Sequence, residues 1–330
     1  MKCIDKFRFL AVVLLSALMI TGCTKTSSCS YDLDATSSQY GIIKTATDQT
    51  DYFSSTLCVT DQDNFGLEQV DSQVAGGAGV FNLTTGNCTY AQNMFGTMYP
   101  ASTTKILTCL TALEYGDPDQ MITVSAEAAD QASDSSVANL AAGDVMSLQD
   151  LLYGLMLRSG NDAAIAIAEG VAGSVEGFSD LMNAKALSLG ATHSHFVTPH
   201  GLHDDDHYTT IYDMYLIFQG ALANERFVEI MGTANYHTNY RGADGAAKEQ
   251  TWNNTNQYLT GAKKAPTGFQ VIGGKTGTTY EAGYCLVLYS KNDQGQEIVS
   301  IVYNADCALN LYYLMNELLY TFGEAVSGTS

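Results

Sequence analysis

The run "YPASTTKILT", residues 99–108, sets Ser102 three residues before Lys105. On a helix, side chains three apart share a face, one turn from each other. A serine hydroxyl is a weak nucleophile until a neighbouring base takes its proton. A lysine whose charge is disfavoured by burial or by a second cation can be that base. Two further runs supply what such a pair would need. In "LRSGNDAA", Ser159 offers a hydroxyl to relay a proton and Asn161 a carboxamide to hold an amide. In "IGGKTGTT", Lys275, Thr276, Gly277 and Thr278 follow the strand-like Val271 and Ile272. A cation and two hydroxyls there form a corner for a carboxylate, and glycine lets a ligand backbone come close. Each run alone also reads as an ordinary feature: a polar helix start, a turn with a helix cap, a glycine-rich hairpin edge. Together, in this order and each in a fitting context, they outweigh those separate readings.

The elements that must position them follow from periodicity. Gly77–Asn93 reads as a hairpin, with turn residues Thr84–Asn87 between two strands. Ile106, Leu107, Leu110 and Leu113 recur at helical spacing, and Gly116 with Pro118 ends that helix. Further helices are predicted at 148–158, 163–171, 177–189 and 211–222. "QVIGGKTGTT", "AGYCLVLYS" and "EIVSIVYN" read as three consecutive strands, and Leu309–Phe322 as a closing helix. Strands, many helices, strands and a helix predict an α/β (α+β) fold. An antiparallel sheet is covered by helices, with a mostly helical insertion between its halves. A second Ser-x-Asn, Ser290–Asn292, reads as the turn between two strands.

The chain has 330 residues, 46% apolar and 15% charged, with four prolines, so a sizeable core can form. A formal charge of −20 opposes general electrostatic binding to nucleic acid or an anionic membrane. Lys2, Lys6 and Arg8 precede an apolar run, Phe9–Ile20, broken only by Ser16. That run is short for a bilayer span and fits a secretory signal. It ends in "ITGC", which resembles the lipobox of bacterial lipoproteins and implies cleavage before Cys23 with lipid on its sulfur. Residues 24–63 hold 15 Ser or Thr in 40 and read as a solvated tether. The expected organisation is a signal peptide at 1–22, lipidated Cys23 and tether at 23–74, a catalytic domain at 75–325 and a tail at 326–330. Of the remaining cysteines, Cys109 and Cys285 lie in apolar runs and read as buried thiols. A pairing of Cys29 with Cys58 stays open at this point. No C-x-x-C spacing suggests a zinc ribbon.

The three motifs, with the stretches around them from about Gly77 to about Glu324, resemble the D-alanyl-D-alanine carboxypeptidases, the low-molecular-mass penicillin-binding proteins. The resemblance implies a β-lactamase/transpeptidase-like fold and no cofactor. It implies Ser102 as the acylated nucleophile, Lys105 as its base and Ser159 as the proton shuttle. Asn161 would bind the substrate amide, Lys275 would supply positive potential, and Thr276 and Thr278 would hold the terminal carboxylate. The N–H groups of Ser102 and Thr278 would form the oxyanion hole. The implied partners are the peptidoglycan stem peptide, β-lactam antibiotics as covalent inhibitors, and the outer face of a bacterial membrane through the N-terminal lipid.

Two departures matter. Gly160 stands where β-lactamases usually carry aspartate, although these carboxypeptidases commonly have glycine. The sequence also ends soon after its last helix, where many relatives continue into a β-rich domain and a membrane-binding helix. The expectation is that the lipid on Cys23 replaces that anchor. A class A β-lactamase would need a Glu-x-x-Leu-Asn loop after the middle motif, and none is found, so β-lactams should acylate Ser102 and leave slowly. A D,D-endopeptidase shares the chemistry, and a non-catalytic wall-binding lipoprotein would not need all three motifs. Five of six histidines, His193, His195, His200, His203 and His207, cluster with Asp204–Asp206. No catalytic metal is expected from them, because the segment matches the family's "PHGL" stretch, which is structural or near the cleft.

Overall fold

The computed structural model describes residues 56–323. The hairpin is β1 (Ala75–Asn82) and β2 (Asn87–Gln92). A 3₁₀ turn, Ala101–Thr104, leads into α1 (Lys105–Tyr115), then β3 (Met121–Thr123) and α2 (Ala126–Ala129). Next come β4 (Val145–Ser147), α3 (Leu148–Leu157), α4 (Asn161–Ala172), α5 (Val175–Ser188), α6 (Ile211–Leu222) and α7 (Glu225–Gly232). The chain closes with β5 (Asn235–Arg241), β6 (Ala247–Asn253), β7 (Phe269–Thr279), β8 (Gly283–Asn292), β9 (Glu297–Ala305) and α8 (Ala308–Phe322).

The main sheet has the order β2-β1-β9-β8-β7 and every pairing is antiparallel. Its central strands are covered on both faces, so they read as near-continuous apolar runs rather than alternating ones. On one face Val80, Leu286, Leu288 and Val302 meet Leu311, Leu314, Met315 and Leu318 of α8. On the other, Phe81, Val287 and Ile301 belong to the core of the helical part, with Leu107, Leu152, Ile167 and Phe218. Side chains mark the helix starts. Ser147 accepts from the Asp150 amide at 3.0 Å, and Thr210 from that of Asp213 at 3.0 Å. Each such cap is worth about 1 kcal/mol. A smaller sheet, β3-β4-β5-β6, edges the helical part.

The predicted strands and helices from 77 onward all form, and the fold is the antiparallel sheet with a helical insertion. The domain boundary differs. Residues 56–74, assigned above to the tether, belong to the folded body. Cys58 is fully buried and its amide donates to the Tyr215 hydroxyl at 2.7 Å. Phe65 bridges Ala91, and Leu67, Val70 and Val74 pack against the α8 side of the sheet. The apolar residues here are irregularly spaced, so they carry no periodic signal, yet Leu57, Phe65, Leu67, Val70 and Val74 all pack against the core. Cys23, Cys29 and the proposed signal lie outside the described residues. Cys58, Cys109 and Cys285 are free, buried thiols. Among the described residues no helix is long and apolar enough to cross a membrane.

Candidate active site

Ser102 sits in the 3₁₀ turn that starts α1, and Lys105 is the first residue of that helix. The turn is held from below, where the Thr103 and Tyr303 hydroxyls hydrogen-bond to each other. Ala101 adopts φ +47 and Ser159 φ +58, so a residue beside the nucleophile and one at the α3–α4 turn are both in the left-handed region. Such strain persists only where the surroundings enforce it, and it clusters at functional sites.

Lys105 is fully buried. Its Nζ lies 3.0 Å from Ser102 Oγ, 2.8 Å from Asn161 Oδ1 and 2.7 Å from the His200 carbonyl oxygen. Burial, then repulsion from Lys275, pushes its ammonium well below the usual lysine range, against a smaller opposing pull from Asp162. A neutral amine has two N–H donors and one lone pair. The Asn161 and His200 oxygens can only accept, so they take the two donors. The lone pair is left for Ser102, the one partner of the three with a proton to give. This is the arrangement a general base requires.

The second lysine faces the second serine. Lys275 is 1% exposed, and its Nζ lies 3.0 Å from Ser159 Oγ and 2.8 Å from the Thr276 carbonyl oxygen. Burial pushes it down to about 7. Ser102, Ser159, Thr276, Gly277 and Thr278 line one cleft of about 260 Å³, with Thr255, Gln257 and Tyr312 on its far wall. Thr276 Oγ1 is 2.7 Å from Thr255 Oγ1, and Thr278 Oγ1 donates to the Gly277 carbonyl at 2.7 Å. All eight catalytic and substrate-binding residues read from the sequence therefore meet at this cleft or touch a residue that lines it. The second Ser-x-Asn ends β8, where Asn292 Oδ1 accepts from the Gln294 amide at 3.1 Å.

β7 is an edge strand, and the Ser102 turn lies against it. A Cβ on Gly277 would fall 2.9 Å from the backbone nitrogens of Ser102 and Thr103. Gly277→Ala should therefore push the turn off the strand. We expect acylation by a β-lactam to fall about 10- to 100-fold, as for a displaced oxyanion donor. Stopped-flow acylation kinetics check this.

Three participants were not legible as site residues. The His200 carbonyl is a main-chain atom, and no residue type advertises it. Asp162 is buried; its Oδ1 accepts from the Ala138 amide at 2.8 Å and its Oδ2 from that of Leu140 at 3.0 Å. It thus pins the loop that brings Ser136 to the cleft wall. His207 reaches the turn from behind, with its Nε2 2.8 Å from Thr104 Oγ1.

The D-alanyl-D-alanine carboxypeptidase family matches residues 66–307. The chain is 34% identical over 226 residues to the D-alanyl-D-alanine carboxypeptidase DacF of Bacillus subtilis, covering 67% of this chain but 55% of that one. It is 32% identical to the D-alanyl-D-alanine carboxypeptidase of Streptomyces sp. (strain K15), covering 68% of this chain and 79% of that enzyme. The crystal structure of the Streptomyces K15 DD-transpeptidase superposes with a TM-score of 0.69 at 30% identity, over 75% of this chain and 96% of that one. With its motifs gathered into one cleft and these matches over most of the folded body, the chain belongs to the D-alanyl-D-alanine carboxypeptidase family.

Proposed function

We propose that the protein is a serine-type D,D-carboxypeptidase that removes the terminal D-alanine from peptidoglycan stem peptides. The observation that carries this reading is the hydrogen-bond set of Lys105, whose lone pair has Ser102 as its only proton donor. Ser102 Oγ attacks the penultimate D-alanine carbonyl as its proton passes to Lys105. The N–H groups of Ser102 and Thr278 receive the oxyanion, an interaction worth several kcal/mol in such sites. The departing D-alanine nitrogen takes a proton from Ser159, which is resupplied across its 3.0 Å contact with Lys275. Thr276 and Thr278 hold the terminal carboxylate, and Asn161 the substrate amide. Lys105 then releases the Ser102 proton to solvent while Lys275 takes one up, and water attacks the ester, its proton passing through Lys105 to Ser102 Oγ as the acyl C–O bond breaks. β-Lactams acylate the same serine. The apolar N-terminal run and "ITGC" support export and lipid attachment at Cys23, which would hold the domain at the outer face of the membrane. A lipid mass on Cys23 tests that part, and a mature chain starting elsewhere overturns it.

The test of the activity is intact mass after brief exposure to benzylpenicillin, beside a Ser102→Ala control. We expect a lasting adduct on the parent alone, and free D-alanine from a D-Ala-D-Ala peptide. Rapid drug hydrolysis without an adduct would make it a β-lactamase. Cleavage of cross-linked dimers in preference to pentapeptides would make it an endopeptidase. Neither adduct nor hydrolysis would refute the acyl-enzyme.

A further inference from the structure

The five-histidine stretch has no part in the chemistry above, yet one of its members is built into the support of the base. We propose that His207 is a positioning residue for Lys105, tying the 197–200 segment to the Ser102–Lys105 turn and thereby keeping the His200 carbonyl on the lysine amine. This rests on the reading of Lys105 as the general base.

His207 is 2% exposed, with Phe196 edge-on to its ring. Its Nδ1 accepts from the Val197 amide at 3.1 Å, with the Thr198 amide directed at the same atom from 3.4 Å. A ring nitrogen that accepts carries no proton. The proton of the neutral ring is therefore on Nε2, which donates to Thr104 Oγ1 at 2.8 Å. Burial pushes the ring down to about 4, so it is neutral at physiological pH. The imidazole is thus a two-ended clamp, one end on the 197–198 backbone and the other on the residue before Lys105.

Two more hydrogen bonds run along the same seam. Thr108 Oγ1 donates to the Pro199 carbonyl at 2.6 Å, and Lys105 Nζ to the His200 carbonyl at 2.7 Å. Gly201 follows at φ +81, and a Cβ there would fall 2.0 Å from the Ala101 carbonyl oxygen. The segment therefore lies directly against the turn that carries the nucleophile. Without the imidazole, the Val197 amide loses its partner, and the segment keeps Ser179 and Thr108 on its carbonyls but no tie to the residue before Lys105. The His200 oxygen moves off Nζ, and nothing then forces the lone pair toward Ser102. Acylation should suffer while substrate contacts on β7 stay in place.

The experiment compares kcat and KM on a D-Ala-D-Ala peptide, and penicillin acylation rates, for His207→Leu, His207→Gln and Thr104→Val. For His207→Leu we expect kcat to fall on the order of 100-fold, as for a misplacement of about 1 Å, with KM within about 3-fold. Glutamine presents an acceptor and a donor at nearly the imidazole spacing and should recover kcat to within about 5-fold of the parent. Thr104→Val removes only the far end of the clamp and should lower kcat about 10-fold. If His207→Leu does not fold, the other two variants decide. Near-parental kcat in Thr104→Val, or a glutamine variant as impaired as leucine at equal melting temperature, overturns the proposal. So does a loss confined to KM. A parent that forms no adduct and releases no D-alanine refutes the catalytic reading instead, whatever His207 does.

Discussion

A Lys105→Met enzyme is expected to acylate with benzylpenicillin about 10²- to 10⁴-fold more slowly than the parent, the range that loss of a general base produces. Methionine fills nearly the same volume, so Ser102 keeps its turn. What disappears is the one group able to take the hydroxyl proton. Asn161 Oδ1 is not basic, and Lys275 faces Ser159 instead. The informative companion is Lys105→Arg. Arginine keeps the charge and the donors but cannot be deprotonated in a protein. If Lys105 served only as a cation or a hydrogen-bond donor, arginine would retain most of the rate. As a base it must be lost, so arginine should be as slow as methionine. Stopped-flow fluorescence gives the rates, and near-UV circular dichroism checks the fold. An arginine variant within about 10-fold of the parent would sink the base assignment.

The motif residues were readable because each lies in a short contiguous run whose chemistry depends on residue type. The long elements were readable because burial imposes a period. β8, β9 and α8 cover or fill a core, and their apolar residues say so. Where burial is slight, the signal fails. β5 and β6 form a hairpin whose inner face sets Tyr236, Thr238 and Tyr240 opposite Trp252, Gln250 and Lys248, so its few apolar residues are interleaved with polar ones and make no apolar run in the sequence. α7 has only eight residues, too few for a helical period to stand out from its neighbours. β3 and β4 are three residues each, and pairing rather than propensity makes them strands. The limit inside the site is different in kind. His200 contributes a carbonyl oxygen, and Asp162 and His207 act on backbone amides of residues 10 to 24 positions away. Those partners are set by tertiary approach, which no local pattern encodes. The histidine cluster, from which no catalytic metal is expected, holds one buried member, His207, whose two ring nitrogens are both hydrogen-bonded.

Replacing Lys275 with methionine should move the acid limb of acylation to higher pH and lower the plateau about 100-fold. The rate depends on Lys105 in its neutral form, so the limb tracks the Lys105 folded pKa. Burial lowers that pKa most, and the Lys275 cation lowers it further. Methionine removes the second cause and leaves the pull of Asp162, so Lys105 takes up its proton at a higher pH. Lys275 itself titrates near 7, so its repulsion of Lys105 is fully present only below that point. The lower plateau has a separate origin: Ser159 loses the partner that returns its proton.

The same burial makes a stability prediction with a fixed sign. Lys275 has an ordinary pKa of 10.5 and about 7 when folded. Between those values the unfolded chain binds more protons, so stability contributed by this group rises with pH across that window. Below about 7 the full penalty applies, on the order of 5 kcal/mol. Lys275→Met removes it, so denaturant unfolding should show a smaller gain in stability from pH 7 to 9 than in the parent. An acid limb that stays put or moves to lower pH would mean that Lys275 does not act on Lys105. An unchanged slope of stability with pH would mean that folding does not lower the Lys275 pKa.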